Sequence, residues 1–152
     1  MEKKDKKKVL SNKEKYMLEI KNKYEDNKNF FEDGDINSKV YAFINKFVAC
    51  EFLMKQMIYH YNHDTEKEFC EIRDIQLNMN KIYATIKFFN YDINKEDLKF
   101  IFNGDKTRGR KSCKELRNGF LHSFDSNDGY EIYNRFDSLM DCMDCFIHII
   151  IS

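Results

Sequence analysis

The sequence predicts an all-α fold, an antiparallel bundle of about five or six helices. Its 152 residues include no proline and only five glycines, so it lacks the residues on which the many tight turns of a β-sandwich depend. Apolar residues recur every three or four positions over long stretches, a spacing typical of amphipathic helices. With 42% hydrophobic residues, the chain has enough apolar side chains for one packed core.

We expect a charged flexible arm over residues 1–10, where lysine is abundant, and a single helical domain over residues 11–152. Ser11 is a suitable N-cap for the first helix, and Glu14 is placed to reach back to it in a capping box. This first helix is predicted to end near Glu25.

A polar stretch over 27–35 is predicted to separate the first helix from a long second helix, which covers about 40–61. Thr65 and Glu68 are spaced as another capping box. From 69 to 89 the apolar residues again step by three or four, which predicts a third helix of about 20 residues.

The remainder of the chain is predicted to form three more helices. Asn94 is a suitable N-cap for a short fourth helix, and Gly104 is a suitable terminator. A fifth helix is predicted to begin near Ser112. The polar segment 125–129 predicts a turn, and the apolar stripe that follows predicts one last helix over 130–150.

Charge is distributed unevenly, although the formal net charge is zero. Segment 99–117 has seven basic and two acidic residues, whereas segment 125–145 has six acidic residues and one basic residue. Three of the chain's five arginines lie in the basic segment, and a guanidinium group binds phosphate oxygens bidentately. Against the alternative of a plain solvated surface, we therefore predict phosphate contacts from Arg108, Arg110, Lys111 and Lys114.

The basic segment ends in Arg117-Asn118-x-x-x-His122. This spacing, late in a small helical chain, resembles the motif of the HEPN superfamily (higher eukaryotes and prokaryotes nucleotide-binding domains). The resemblance implies a helical bundle that commonly dimerises, with a metal-independent endoribonuclease site shared across the dimer. It implies that Arg117 and His122 are the catalytic pair and that Asn118 supports them. Many such proteins are toxins or phage-defence effectors.

The chemistry of these residue types is consistent with RNA cleavage, because RNA supplies its own nucleophile in the 2′-hydroxyl group. A histidine whose pKa lies near neutrality can transfer the proton. An arginine can hold the phosphate oxygens while negative charge develops on them. We therefore expect a reaction that needs no cofactor.

Helix geometry poses a difficulty for this pair. Residues five apart on a regular α-helix are separated by about 140°, so Arg117 and His122 would not share a face. Gly119 lies between them and lowers helix stability by about 1 kcal/mol, which suggests a local kink or a close approach of another backbone. The alternative is structural: Arg117 pairs with a nearby acid, and His122 is a half-buried helix residue.

Cys142-x-x-Cys145-x-x-His148 invites comparison with a zinc site. A zinc finger needs a second ligand pair, and none has matching spacing. Because this segment lies in the apolar stripe of the last helix, we expect Cys142 and Cys145 to be core residues. His60 and His63 flank the end of the second helix, where histidine interacts favourably with the helix dipole. No metal site is predicted.

The expected partners are RNA and a second copy of the chain, and an antitoxin protein is a further candidate. In some HEPN toxins the antitoxin modifies a tyrosine two residues after the histidine. That position is Phe124 here, so this modification is not expected. The lysine-rich start is no signal peptide, and no stretch approaches the roughly 20 apolar residues of a membrane span. We therefore expect a cytoplasmic protein.

Two other functions remain open. The first is a HEPN-like module that binds RNA or a protein without cleaving. The second is a helical interaction protein in which Arg117 and His122 are incidental.

Overall fold

Helices make up most of the computed structural model, which describes residues 9–67, 69–104 and 110–152. The predicted all-α bundle is confirmed: these residues form seven α-helices, rather than five or six, and no strand. None of these helices is both long and apolar enough to span a bilayer. The helices are α1 (Asn12–Glu32), α2 (Gly34–Tyr61), α3 (Met79–Phe88), α4 (Lys95–Phe102), α5 (Cys113–Ser123), α6 (Ser126–Asn134) and α7 (Phe136–Ile151).

Helix α2 is the centre of the bundle, because α1, α3, α5, α6 and α7 all pack against it. Its buried side chains recur at the predicted helical spacing, and each one that is fully removed from water stabilises the fold by about 1.5–3 kcal/mol. These side chains are Val40, Phe43, Ile44, Phe47, Cys50, Met54, Met57 and Ile58.

The capping residues confirm three of the predicted helix starts. Ser11 accepts a hydrogen bond from the Glu14 amide at the start of α1, and Asn94 accepts one from the Asp97 amide at the start of α4. Ser112 forms a reciprocal capping box with Glu115 at the start of α5. Each cap satisfies a backbone N–H group that has no partner inside its helix. Of the arm predicted over 1–10, residues 1–8 lie outside the described residues.

The predicted break over 27–35 is wrong, because α1 continues to Glu32 and α2 begins at Gly34. Phe30 is buried near the end of α1, with its ring edge-on to the rings of Phe120 and Tyr130. This tertiary packing stabilises the helix in a stretch whose intrinsic helix propensity is low. Asp33 separates the two helices and caps α2 through its side chain.

The third helix begins at Met79, not near residue 69. Thr65 is not an N-cap, since its hydroxyl donates a hydrogen bond to the Tyr61 carbonyl within a π-helical turn, and Glu68 lies outside the described residues. Between Ile75 and Met79, burial alternates from one residue to the next, as in an extended chain. Asn78 then caps α3 by accepting hydrogen bonds from two amides. The apolar spacing before Met79 therefore does not form an α-helix, and its one helical turn is the 3-10 turn Ile72–Asp74.

The predicted turn at 125–129 and single last helix are also wrong. Asp125 is an N-cap, and α6 begins at Ser126. The chain then breaks at Arg135, whose side chain donates hydrogen bonds to the Lys111 carbonyl and to Glu131. This break lets α6 pack on α5 while α7 packs on α2.

Two glycines allow the close packing of α6. A Cβ atom at Gly119 in α5 would overlap the carboxylate of Asp128, and one at Gly129 in α6 would overlap the ring of Phe30. The close approach expected at Gly119 is therefore present, although a side chain makes it rather than a backbone. The hydrogen-bonded helix is not interrupted at Gly119, since α5 runs unbroken from Cys113 to Ser123.

We predict that Gly119→Ala destabilises the protein by about 1–3 kcal/mol, because the new methyl group overpacks the contact with Asp128. Alanine's higher helix propensity, worth about 1 kcal/mol, would give the opposite sign if space were available. Chemical denaturation measures the change. Gly34→Ala is the matched control, since a Cβ there meets nothing within 4 Å. Equal stability of Gly119→Ala and wild type would contradict the packing.

Candidate functional site

Helix α5 contains the candidate catalytic residues and is anchored at its start and along its buried face. At its start, the Ser112 hydroxyl donates a 2.5 Å hydrogen bond to the Asn103 carbonyl. Along its length, Cys113, Leu116 and Phe120 are buried in the core. The helix ends at Phe124, which adopts the left-handed conformation. This anchoring fixes the direction of the polar side chains on the remaining faces.

Arg117 points from α5 towards α2. Its Nη2 atom donates a hydrogen bond of 3.2 Å to Oε2 of Glu51, and its guanidinium carbon lies 4.7 Å from the centre of the Phe47 ring. The side chains of Arg117 and Glu51 are only 17% and 23% exposed. Within the described part of the chain, Glu51 is its only hydrogen-bond partner, and Nε is buried without one. Arg117 is therefore fixed in place with most of its donors unused.

His122 is exposed to solvent in the last turn of α5, and Asn118 is half-buried. Neither side chain forms a hydrogen bond or ion pair with a described residue. Because α5 is regular, the roughly 140° between positions five apart persists. The structure thus holds Arg117 against α2 and leaves His122 in solvent, and within one chain it does not bring them into contact.

The four predicted phosphate-binding residues have different environments. Arg108 lies outside the described residues. Arg110 is exposed, and Lys114 is half-buried without an ion pair among the described residues. Lys111 instead forms a 2.5 Å ion pair with Asp128, whose side chain is 4% exposed. The hydrogen bond to Asp128 raises the pKa of Lys111 above its usual range.

This ion pair joins the basic segment to the acidic one within a single chain. At Lys111 the negative charge that complements the basic segment therefore comes from the same molecule and not from a second copy. Of the four predicted phosphate-binding residues, Arg110 and Lys114 are the described ones that a phosphate group could approach without displacing a carboxylate.

Glu51, Phe47 and Asp128 were missed as contributors to the site. Glu51 lies 66 residues before Arg117 in the sequence, so no local spacing connects them. The one signal in the sequence was that Glu51 lies four positions after Phe47. This spacing places the two side chains on neighbouring turns of the same helix.

The cysteines and histidines do not converge on one centre. No group of three or more His, Cys, Asp or Glu side chains is placed to hold a metal ion within residues 9–67, 69–104 and 110–152. Cys142 is half-buried against the core, as expected, but Cys145 is exposed, so its predicted place in the core is wrong. Burial raises the pKa of Cys50 and of Cys142 to about 12.

A groove of about 630 Å³ lies beside the C-terminal end of α5. One wall comes from α1 and includes Tyr24 and Phe31, and the other includes Ser123 and Phe124, directly after His122. The groove is therefore lined by residues that directly follow the exposed histidine in sequence.

Comparison with known proteins finds no matching family model, no matching curated protein and no matching solved structure. The function must therefore be inferred from the residues of the chain itself.

We predict that Arg117→Met costs about 1–3 kcal/mol of stability, because it leaves Glu51 partly buried without its cation. The double variant with Glu51→Gln should cost less than the sum of the single changes, which denaturant unfolding can measure. The exposed pair Lys23–Glu19 is the control, since it should couple by less than about 0.5 kcal/mol. Strictly additive effects at Arg117 and Glu51 would show that the contact contributes nothing.

We also predict that two thiols react much faster than the others near neutral pH. Cys70 and Cys145 are exposed, whereas the raised pKa of Cys50 and of Cys142 leaves almost no reactive thiolate. Maleimide labelling followed by peptide mass spectrometry measures the rates. Rapid labelling of Cys50 in the folded protein would show that the α2–α7 contact opens readily.

Proposed function

We propose that this chain is a metal-independent endoribonuclease of the HEPN type. The observation that supports this most is that one helix carries both a cation held in place and a histidine exposed to solvent. Arg117 is fixed by Glu51 and Phe47 with several N–H groups unused, and His122 is exposed one and a half turns later. Positioned charge and a mobile proton are the two requirements of phosphodiester cleavage by a 2′-hydroxyl group.

In this proposal His122 transfers the proton, because an imidazole can change its charge near neutral pH. Arg117 stabilises the charge that develops on the phosphate oxygens, and Asn118 orients the phosphate or one of the two catalytic side chains. Glu51 limits the freedom of the guanidinium group and so reduces the entropy lost when a phosphate binds. Arg110 and Lys114 contact neighbouring phosphates of the same strand.

The separation of Arg117 and His122 around α5 favours a site assembled from two chains. In a homodimer that brings two copies of α5 together, His122 of one chain can act with Arg117 of the other. The arginine and the histidine that act together then belong to different chains, so they do not have to share a face of one helix. We propose such a dimer, acting on single-stranded or loop RNA in the cytoplasm as a toxin or phage-defence effector, with an antitoxin protein as a candidate partner.

A second function is favoured by one contact. Glu51 already neutralises Arg117, and Phe47 covers one face of its guanidinium group. The same two contacts are expected of an arginine whose role is purely structural. On this alternative the chain is a HEPN-like module that binds RNA or a protein without cleaving, and Arg117 contributes to stability alone.

We predict that His122→Ala lowers the rate of RNA cleavage by roughly 100- to 10,000-fold, the usual contribution of a positioned acid–base group. Because His122 is exposed, the variant should unfold at the same denaturant concentration as wild type. Single-turnover cleavage of a labelled RNA measures the rate. Unchanged cleavage by the His122→Ala, Arg117→Ala double variant would eliminate the catalytic assignment.

Arg117→Lys should also lose most activity, because lysine keeps the charge but not the planar fork of donors. Arg110→Ala provides the contrast: it should weaken RNA binding and flatten the salt dependence while the chemical step keeps its rate. Filter binding over a salt series, together with single-turnover rates, separates the two effects. Binding without cleavage by pure wild-type protein would favour the non-catalytic module.

A further inference from the structure

Helix α1 is exposed on every side over most of its length. All residues from 12 to 26 are exposed, and Phe30 is the one buried residue of the helix. These fifteen positions correspond to about 22 Å of helix. Isolated helices of this length are marginal in water, because packing of an apolar face supplies most helix stability in proteins. Contacts within the described chain do not supply that packing for α1.

An apolar stripe runs along this exposed helix. Tyr16, Met17, Ile20 and Tyr24 recur at helical spacing and are between 52% and 68% exposed. The stripe continues to Phe31, whose ring stacks on that of Tyr24 at 6.3 Å. Both of these rings line the groove beside the end of α5. The stripe thus leads from solvent into a concave surface, which is the form of a docking site for another helix.

The charges of α1 differ between its two halves. Residues 12–23 contain four lysines and two glutamates, for a net charge of +2, whereas residues 24–32 contain one lysine and three acidic residues, for a net charge of −2. A second α1 helix in antiparallel orientation would place each positive half beside a negative half. In parallel orientation, like charges would meet along the whole contact.

We propose that α1 is a self-association surface, on which α1 of a second copy of this chain packs in antiparallel orientation about a two-fold axis near Ile20. Ile20 then faces Ile20 of the second copy, and Tyr16 faces its Tyr24. The interface is isologous, as the two-fold symmetry requires. Each apolar stripe covers the other, and the start of each α1 reaches the other chain's groove.

This arrangement gives the second copy a position beside the candidate site. The groove wall includes Ser123 and Phe124, directly after His122. The end of α5 in one chain therefore approaches the start of α1 in the other. The proposed α1 contact rests only on the exposure and the charges of α1. It can therefore be disproved while the ribonuclease assignment holds, and the ribonuclease assignment can be disproved while the α1 contact holds.

Sedimentation velocity at micromolar concentration tests the surface. Wild type should self-associate, and Ile20→Glu should sediment as a smaller species with unchanged helix content, because Ile20 is exposed and makes no core contact. The proposed contact between α5 helices is a separate interface, which Ile20→Glu leaves intact. The matched control is Phe52→Glu, which changes a similarly exposed apolar residue on α2 and should sediment like wild type. A monomeric wild type would overturn the proposal, as would an Ile20→Glu variant that sediments like wild type.

The proposal must also exclude a membrane surface as the occupant of the stripe. Flotation with vesicles of phosphatidylcholine and phosphatidylserine should leave the wild-type dimer in the soluble fraction. Flotation of wild type but not of Ile20→Glu would show that the stripe binds lipid, and would overturn the proposal.

Disulfide cross-linking tests the orientation, in a background with Cys70→Ser and Cys145→Ser to remove the exposed thiols. Ile20→Cys should give a cross-linked dimer on mild oxidation, because the two positions meet at the axis. Lys13→Cys should not, because the two copies lie roughly 21 Å apart in the antiparallel pair. Equal cross-linking of both variants would indicate a parallel pair and contradict the proposed interface.

Discussion

Five of the other six α-helices of the described residues pack against α2, and the buried face of α2 also determines the position of Arg117. Phe47 on this face packs near the ring of Phe102 in the core, and its ring also lies beneath the guanidinium group of Arg117. Glu51, four residues later, supplies the carboxylate. The candidate cation is therefore fixed by a core residue and its neighbour, so repacking of the core at Phe47 would move the site.

Elements governed by local interactions could be predicted from the sequence. Ser11, Asn94 and Ser112 cap helices because each satisfies a backbone amide within three residues. Elements decided by distant contacts could not be predicted. The end of α1 is helical because Phe30 packs against α5 and α6, and the chain breaks at Arg135 because its side chain bonds back to Lys111. Neither contact leaves a periodic signal.

The candidate site shows the same difference between local and distant interactions. The resemblance to a family motif singled out Arg117, Asn118 and His122 as candidates, and capping chemistry placed them on one helix. The environment of each depends on other helices: Glu51 is 66 residues away, and Asp128 reaches Lys111 and Gly119 from α6. Gly119, for which a kink or a close backbone approach was predicted, instead leaves room for the buried carboxylate of Asp128. Sequence spacing thus identifies candidate groups, whereas their partners require the packed structure.

The measurement that tests the central claim most directly is the product formed when pure wild-type protein acts on RNA in excess EDTA. If the 2′-hydroxyl group is the nucleophile and His122 transfers its proton, the products carry a 2′,3′-cyclic phosphate and a free 5′-hydroxyl group. A strand with 2′-O-methyl groups then stays intact. Products with a free 3′-hydroxyl group, or cleavage that EDTA abolishes, would contradict the account.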